Sequence, residues 1–423
     1  MSSNLSPIWQ KRWNALEKTM QATDIGTTSE TLSSMLTCLA AFGKSQFQFF
    51  YDGFNSGKLL PSMHHPAEFV LNATLSQVSY DLSVIRQAAD QRRSPHLKDT
   101  LEKADQLAQS ALNLAVTDKL LKPGTVVTYF NKSAHIRVIP YAPVALVGIP
   151  YTAIETPRDL LAIPHEVGHY VYHHATGLAA KLHTQIPFDP PWFNHWIEEI
   201  FADIYGCLVA GPVIGLDFQD LLLDNPTEHF TEDDGEHPVD AIRPFIHTTV
   251  LNRLGFKNAA EALQDRWAVS ERLRNYPESF IPFDSDYEVD LRIARTKLQE
   301  VVSHMLNYLQ TEYNLTPNTY WTDDLPAGQN DAEAMYTAFE NWIAGSLNIH
   351  VNTLQTNKNK TGVNTGIPPL QNTRKIGDTN TWRDSLKQLN QIENQILPWS
   401  AWMLIFTAGN WPIKGPEGDP VGV

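Results

Sequence analysis

The chain has 423 residues, 42% of them hydrophobic and 19% charged, which is enough apolar material for a large core in two or three lobes and excludes disorder throughout. A formal net charge of −15 argues against nucleic acid, and equally against an anionic membrane surface, as the main partner, because phosphate recognition needs clustered Lys and Arg and Arg92-Arg93 is the longest such run. The only cysteines, Cys38 and Cys207, sit in apolar helical contexts, so they are expected in the core and indicate no disulfide framework.

Met1-Ser2-Ser3-Asn4-Leu5-Ser6-Pro7-Ile8-Trp9 shows no basic segment followed by an apolar one, so no secretory signal is read and cytoplasmic residence is expected. Leu32, Met35, Leu36 and Leu39 share one helical stripe, and Leu71, Leu75, Val78, Leu82 and Ile85 share another. Arg93-Ser94-Pro95 breaks the second helix. A third begins near Pro95 and runs through Leu101, Ala104, Ala108 and Leu112, which predicts a helical hairpin over 70–117. Between 125 and 150 the pattern becomes β-rich, at Thr125–Phe130, Ile136–Ile139 and Val144–Ile149, predicting a small sheet. Its edge could pair with an extended peptide, or the sheet could be buried without contacting substrate.

His165-Glu166-Val167-Gly168-His169 follows, an HExxH pattern inside an apolar segment. Positions i and i+4 share a helix face, so His165 and His169 can reach one cation with Glu166 beside it. Zinc suits imidazole donors, and Glu166 would act as general base toward an activated water. The extended pattern HExxHxxGxxH is excluded by Tyr172 and Ala175. His173 lies about 12 Å along the axis from His165, too far to share the same ion. Downstream, Trp196–Gly206 reads as a second apolar helix carrying Glu198, Glu199 and Asp203. Glu199 and Asp203 are again i and i+4, as needed if Glu199 binds the metal and Asp203 accepts the free ring N–H of a ligand histidine. Glu198 is the alternative ligand. Gly206 and Ala210, opposite Gly168, would let the two helices approach closely.

Past this point, Asp224–Asp240 reads as a solvated acidic loop with its acids out of EF-hand register. Leu291, Ala294, Leu298, Val301, Met305 and Tyr308 mark a long helix, and Asp331–Leu347 and Trp382–Ile396 mark two more. Gln355–Asn380 reads as a mobile excursion, and the apolar stretch from Ile396 to Phe406 is too short to span a bilayer. No internal repeat, GxSxG elbow, Walker loop or GxGxxG motif is present.

HEVGH followed after thirty residues by EEIFAD resembles the gluzincin metallopeptidases, the thermolysin-like clan, whose pattern is HExxH followed by ExxxD. That resemblance implies His165, His169 and Glu199 as zinc ligands, Glu166 as general base and Asp203 as the carboxylate behind a ligand histidine. Glu236-His237-Pro238 with Arg243 is similar to an element of the prenyl-protein-processing and heat-shock metalloproteases. It implies that His237 stabilises the oxyanion and that Arg243 braces the site or pairs with Asp203. The resemblance spans about residues 140 to 250. The chain departs from the membrane-embedded relatives in lacking any apolar run of about 18 residues or more.

The expected fold is α+β and predominantly α-helical, with a zincin-like pair of metal helices and a small sheet flanked by helical lobes. Expected divisions are an N-terminal helical lobe at 1–120, a metallopeptidase core at 121–255 and a C-terminal helical lobe at 256–423, with the flexible excursion at 355–380. The expected activity is zinc-dependent hydrolysis of a peptide or protein substrate, with His237 or a nearby tyrosine holding the oxyanion. The alternative is a non-catalytic scaffold whose zinc site staples two helices, for which His195 is a candidate fourth ligand. Substrate identity and oligomeric state leave no signature in the sequence.

Overall fold

Apolar stripes at helical spacing dominate the chain, and the structure they form is mostly helical with a small mixed sheet. It is a computed structural model that describes residues 5–25, 29–63, 65–137, 139, 141–186, 191–321, 323, 332–356, 413–414 and 420–421. The contacts divide the chain into two compact units. One comprises Met1–Lys98, Ile139–Pro143 and Arg374–Val423, and the other Asp99–Val138 and Val144–Thr373.

In the first unit, α1 (Ile8–Ala22), α2 (Glu30–Asn55) and α3 (Ala67–Arg93) pack together. Ser29 caps α2 by accepting from Leu32 N, and Leu32, Met35 and Leu39 are fully buried, as their stripe requires. Trp13 of α1 stacks on Phe47 at 5.4 Å between ring centroids. The helix predicted to start near Pro95 forms as α4 (Pro95–Thr117), which passes into the second unit at Asp99.

The second unit holds the predicted sheet. Strands β1 (Thr125–Asn131), β2 (His135–Arg137) and β3 (Val144–Pro150) lie in the order β1-β3-β2, with β1 parallel and β2 antiparallel to β3. β3 is central and buried from Val144 to Ile149, whereas β2 is a half-exposed edge. α4 is tied to β1 through Asp105, which accepts from Thr128 N at 2.8 Å and from Thr128 Oγ1 at 2.7 Å.

Helix α5 (Ile163–His174) packs on β2 and β3, starts with Pro164 in its first turn and carries HEVGH. It is followed by α6 (Leu178–Gln185), α7 (Ile197–Ala210), α8 (Pro212–Leu223), α9 (Pro244–Leu254) and α10 (Lys257–Arg274). A short hairpin of β4 (Ser279–Phe280) and β5 (Val289–Asp290) leads into α11 (Leu291–Tyr313), and α12 (Ala332–Thr356) comes after it. Near the end of the chain, β6 (Ile413–Lys414) pairs with β7 (Pro420–Val421). The predicted excursion beyond 356, the helix at Trp382–Ile396 and the apolar stretch to Phe406 lie outside the described residues. Among the described residues no helix is long and apolar enough to cross a membrane.

Two local expectations are corrected. Gly168 does not face Gly206 and Ala210. Its counterpart is Ala202, one turn earlier, where a Cβ on residue 168 would stand 2.9 Å from Ala202 Cα and 3.2 Å from Tyr205 Cβ. Gly206 instead makes room for Ile214, with the backbone of His165 just beyond. The segment 224–240 is not simply solvated, because Phe230 is fully buried within it and stacks on Trp267 and Tyr276.

The Gly168–Ala202 contact sets how closely α5 and α7 approach, and a backbone atom cannot rotate out of the way. Gly168→Ala adds helix propensity of about 1 kcal/mol, but overpacking of a tight helix contact costs about 1–3 kcal/mol. The variant is expected to unfold at lower denaturant concentration, with a net loss of up to about 2 kcal/mol. An unchanged or higher midpoint would mean that the two helices have room to spare.

Candidate metal centre

Helix α7 is apolar along almost its whole length, and Glu199 and Asp203 are buried in it, Asp203 completely. Burying two carboxylates one turn apart is costly unless each is paired. The partners come from two other helices: His165 and His169 from α5, and Arg243 and His247 from the first turn of α9 and the residue before it.

His165, His169 and Glu199 converge. The Nε2 atoms of His165 and His169 are 3.1 Å apart, Glu199 Oε2 is 3.4 Å from His165 Nε2, and Glu199 Oε1 is 3.4 Å from His169 Nε2. A tetrahedral ion bound at about 2.0–2.1 Å places neighbouring donors about 3.3 Å apart, and one donor atom from each of the three residues lies within 4.8 Å of the others, close enough to share one ion. Among the described residues no fourth His, Cys, Asp or Glu joins the group. The trio could therefore hold a metal and keep a position open.

A carboxylate stands behind each ligand histidine. Asp203 Oδ1 lies 2.9 Å from His165 Nδ1, out of line with the ring N–H, so the contact is mainly electrostatic. Glu198 Oε1 lies 2.8 Å from both His169 Nδ1 and His173 Nε2. Arg243 ties the acids together, donating from Nε to Asp203 Oδ2 at 3.0 Å, and from one terminal nitrogen to Asp203 Oδ1 at 3.1 Å and Glu199 Oε2 at 2.9 Å. Burial would raise the carboxyls of Glu199 and Asp203, but the surrounding cations hold both well below the usual carboxylate range. Burial would likewise lower His165, and the close contacts and charges of Asp203 and Glu199 overcome it, raising His165 to about 10. His169 is raised too, against burial, chiefly by Glu199. His247 is the exception. Burial lowers it to about 4, and its neutral ring lies against Phe218 with Nε2 3.8 Å from Asp203 Oδ1.

His237 approaches from the α8–α9 connection. Its Nε2 is 3.5 Å from Glu199 Oε1, and its Nδ1 is 2.7 Å from Asp234 Oδ2. Asp234 also caps the turn by accepting from the backbone N–H groups of Glu236 and His237, and the His237 contact holds its carboxyl at about 2 against burial. The Glu166 side chain is half-buried, with no hydrogen bond or ion pair among the described residues, and its charge reaches His135 on the edge strand β2. Burial chiefly lowers His135, a shift that Glu166 partly offsets.

The structure thus brings together His165, His169, Glu199, Asp203, His237 and Arg243, while Glu166 follows His165 on α5 and its charge acts on His135. His195, the candidate fourth ligand, is exposed and packs on Phe283 rather than on the trio. The sequence reading missed Asp234, His247 and the place of Glu198 behind His169. The Asp-Gly turn ahead of His237 and the i, i+4 spacing of Arg243 and His247 were available signals.

A zinc ion held by the trio would have to displace the protons that Asp203 and Glu199 favour on the histidines, so its uptake is expected to release protons and to weaken as pH falls over roughly pH 6 to 9. Calorimetric titration in buffers of different protonation enthalpy measures both effects. His169→Ala should lower zinc affinity by on the order of a hundredfold or more. Uptake by that variant at wild-type affinity would remove His169 from the donor set. Comparison with protein-family models, curated proteins and solved structures finds no match to this chain.

Proposed function

We propose that this protein is a zinc-dependent peptide hydrolase of gluzincin type, with His165, His169 and Glu199 holding the ion. The observation that carries the reading is the convergence of two imidazoles and one carboxylate, without a fourth protein donor among the described residues. Mixed nitrogen and oxygen donors suit zinc, and an open position distinguishes catalytic from structural sites. When bound, zinc acts as a Lewis acid that brings the pKa of water toward about 7 and polarises a carbonyl.

The protein's own residues supply the rest. Glu166 follows His165 on α5 and is half-buried, and among the described residues its side chain has no hydrogen-bond or ion-pair partner, so its carboxylate is free to take a proton from the attacking water and pass it to the leaving amine. Asp203 and Glu198 orient the two ligand rings from behind. Arg243 holds Glu199 through one oxygen, which fixes the carboxylate's rotation. His237 donates from Nε2 to the oxygen of the attacked carbonyl, and Asp234 holds the ring through Nδ1 at 2.7 Å. The hydroxyls of Tyr129, Tyr172 and Tyr205 are engaged with His135, His183 and Ala111 O, which favours His237 over a tyrosine for this role. The edge strand β2, in contact with α5, offers main-chain groups with which an extended peptide can pair.

Glu166→Gln is the test. It should retain one zinc per chain and lose about 10²–10⁴-fold in peptide turnover, as expected for removal of a general base. Wild-type turnover by this variant would rule out Glu166 as the base. A wild-type protein that binds one zinc but hydrolyses neither peptide nor protein substrates would replace the enzyme with a structural zinc site.

A further inference from the structure

His237, which lies against Glu199, is partly exposed, and the β4–β5 hairpin packs on the loop that carries it. Phe280 at the hairpin's base packs on Trp192 and Trp196, immediately before α7. Asp233 fastens the hairpin to the His237 loop. Its Oδ1 accepts from Trp196 Nε1 at 3.1 Å and Gly235 N at 3.0 Å, while Oδ2 accepts from Phe283 N at 2.9 Å. Phe283's ring lies on Gly235, where a Cβ would come within 2.6 Å of it, and Gly235 also has a φ of +78° that favours glycine. An approach to the centre past His237 therefore passes this hairpin.

Two properties of that rim stand out from the rest of the surface. The hairpin exposes Ile281 (54%), Phe283 (45%) and Tyr287 (53%), three of the ten large hydrophobic side chains most exposed among the described residues. The α8–α9 and α10–α11 connections, residues 224–243 and 275–290, carry twelve Asp and Glu against a single cation, Arg243, which is buried on Glu199 and Asp203. Glu228, Glu232, Asp284, Asp286 and Glu288 are exposed, and among the described residues none forms an ion pair with a Lys or Arg. An apolar face ringed by uncompensated acids complements a ligand that is both apolar and cationic.

Building on the hydrolase reading, we infer that the preferred substrate is an extended peptide segment carrying Lys or Arg beside a bulky apolar residue, seated on Ile281, Phe283 and Tyr287. The acidic connections attract its cationic side chains, and the hairpin buries its apolar one.

The test uses three labelled peptides of equal length: one with Lys, Arg, Phe and Leu flanking a central bond, one with the cations replaced by Asp and Glu, and one with Phe and Leu replaced by Ser. Anisotropy titrations on the full-length, zinc-loaded Glu166→Gln protein read binding without turnover. The first peptide should bind about tenfold more tightly than either of the others, with its advantage over the acidic peptide shrinking as salt is added. Glu232→Lys with Asp286→Lys should abolish or reverse the charge preference, and Phe283→Ser with Ile281→Ser should abolish the apolar one. Equal affinities, no binding by any peptide, or preferences untouched by these variants would overturn the inference. Incubating the wild-type protein with the same peptides separates the two readings. Preference without cleavage leaves the surface standing and removes the hydrolase, while cleavage without preference does the opposite.

Discussion

Two carboxylates one helical turn apart, buried in an otherwise apolar helix, are the constraint around which this molecule is arranged. Glu199 and Asp203 could not stay ionised there alone. Arg243 bridges them, but one guanidinium leaves the pair with an excess of negative charge, to which Glu198 adds another carboxylate. The raised pKa values of His165 and His169 express that excess, because the site stabilises positive charge wherever a group can carry it. A divalent cation placed among the same three donors would satisfy the same imbalance more completely than protons on two imidazoles. The electrostatics and the donor spacing are two expressions of the same convergence of His165, His169 and Glu199.

The packing follows from that arrangement. Ligand atoms on two helices can meet only if the backbones come close, and Gly168 against Ala202 provides the approach. Arg243 reaches both acids from the residue just before α9. Tyr205, two residues past Asp203, anchors α7 on α4 by donating to Ala111 O at 2.6 Å, so the acid-bearing helix is held at both its faces. Removing one member of such a buried set leaves the others uncompensated, and the cost of that exceeds what the pair itself contributes.

Much of this was legible from spacing alone. The stripes of α2, α3 and α11 and the i, i+4 pairs of α5 and α7 are local patterns, and local patterns survive without knowledge of the partner surface. What was not legible depends on how elements cross. Glu198 is adjacent to Glu199 in sequence, and only the crossing angle of α5 and α7 decides that one acid faces the open side of His169 and the other its back. The opposition of Gly168 to Ala202 rather than Gly206 is a matter of one turn of register, which no single-helix pattern encodes. The strands of the 279–290 hairpin are two residues long, too short for alternation to register. Burial of Phe230 within an acidic loop is invisible to composition, since one aromatic among seven acids still reads as solvated.

The neighbouring acids Asp233 and Asp234 show how the helical frame and the connecting segments divide the work. Helices fix the donors, and rigid elements hold such atoms more accurately than loops can. The connections instead shape the approach, and here two consecutive side chains point to different tasks. Asp233 secures the hairpin that carries Phe283, and Asp234 orients His237. Under the proposed hydrolase reading, a substrate side chain pressing on the hairpin would load the same turn that orients His237, so that recognition on the hairpin and the position of the imidazole would be coupled through one peptide unit.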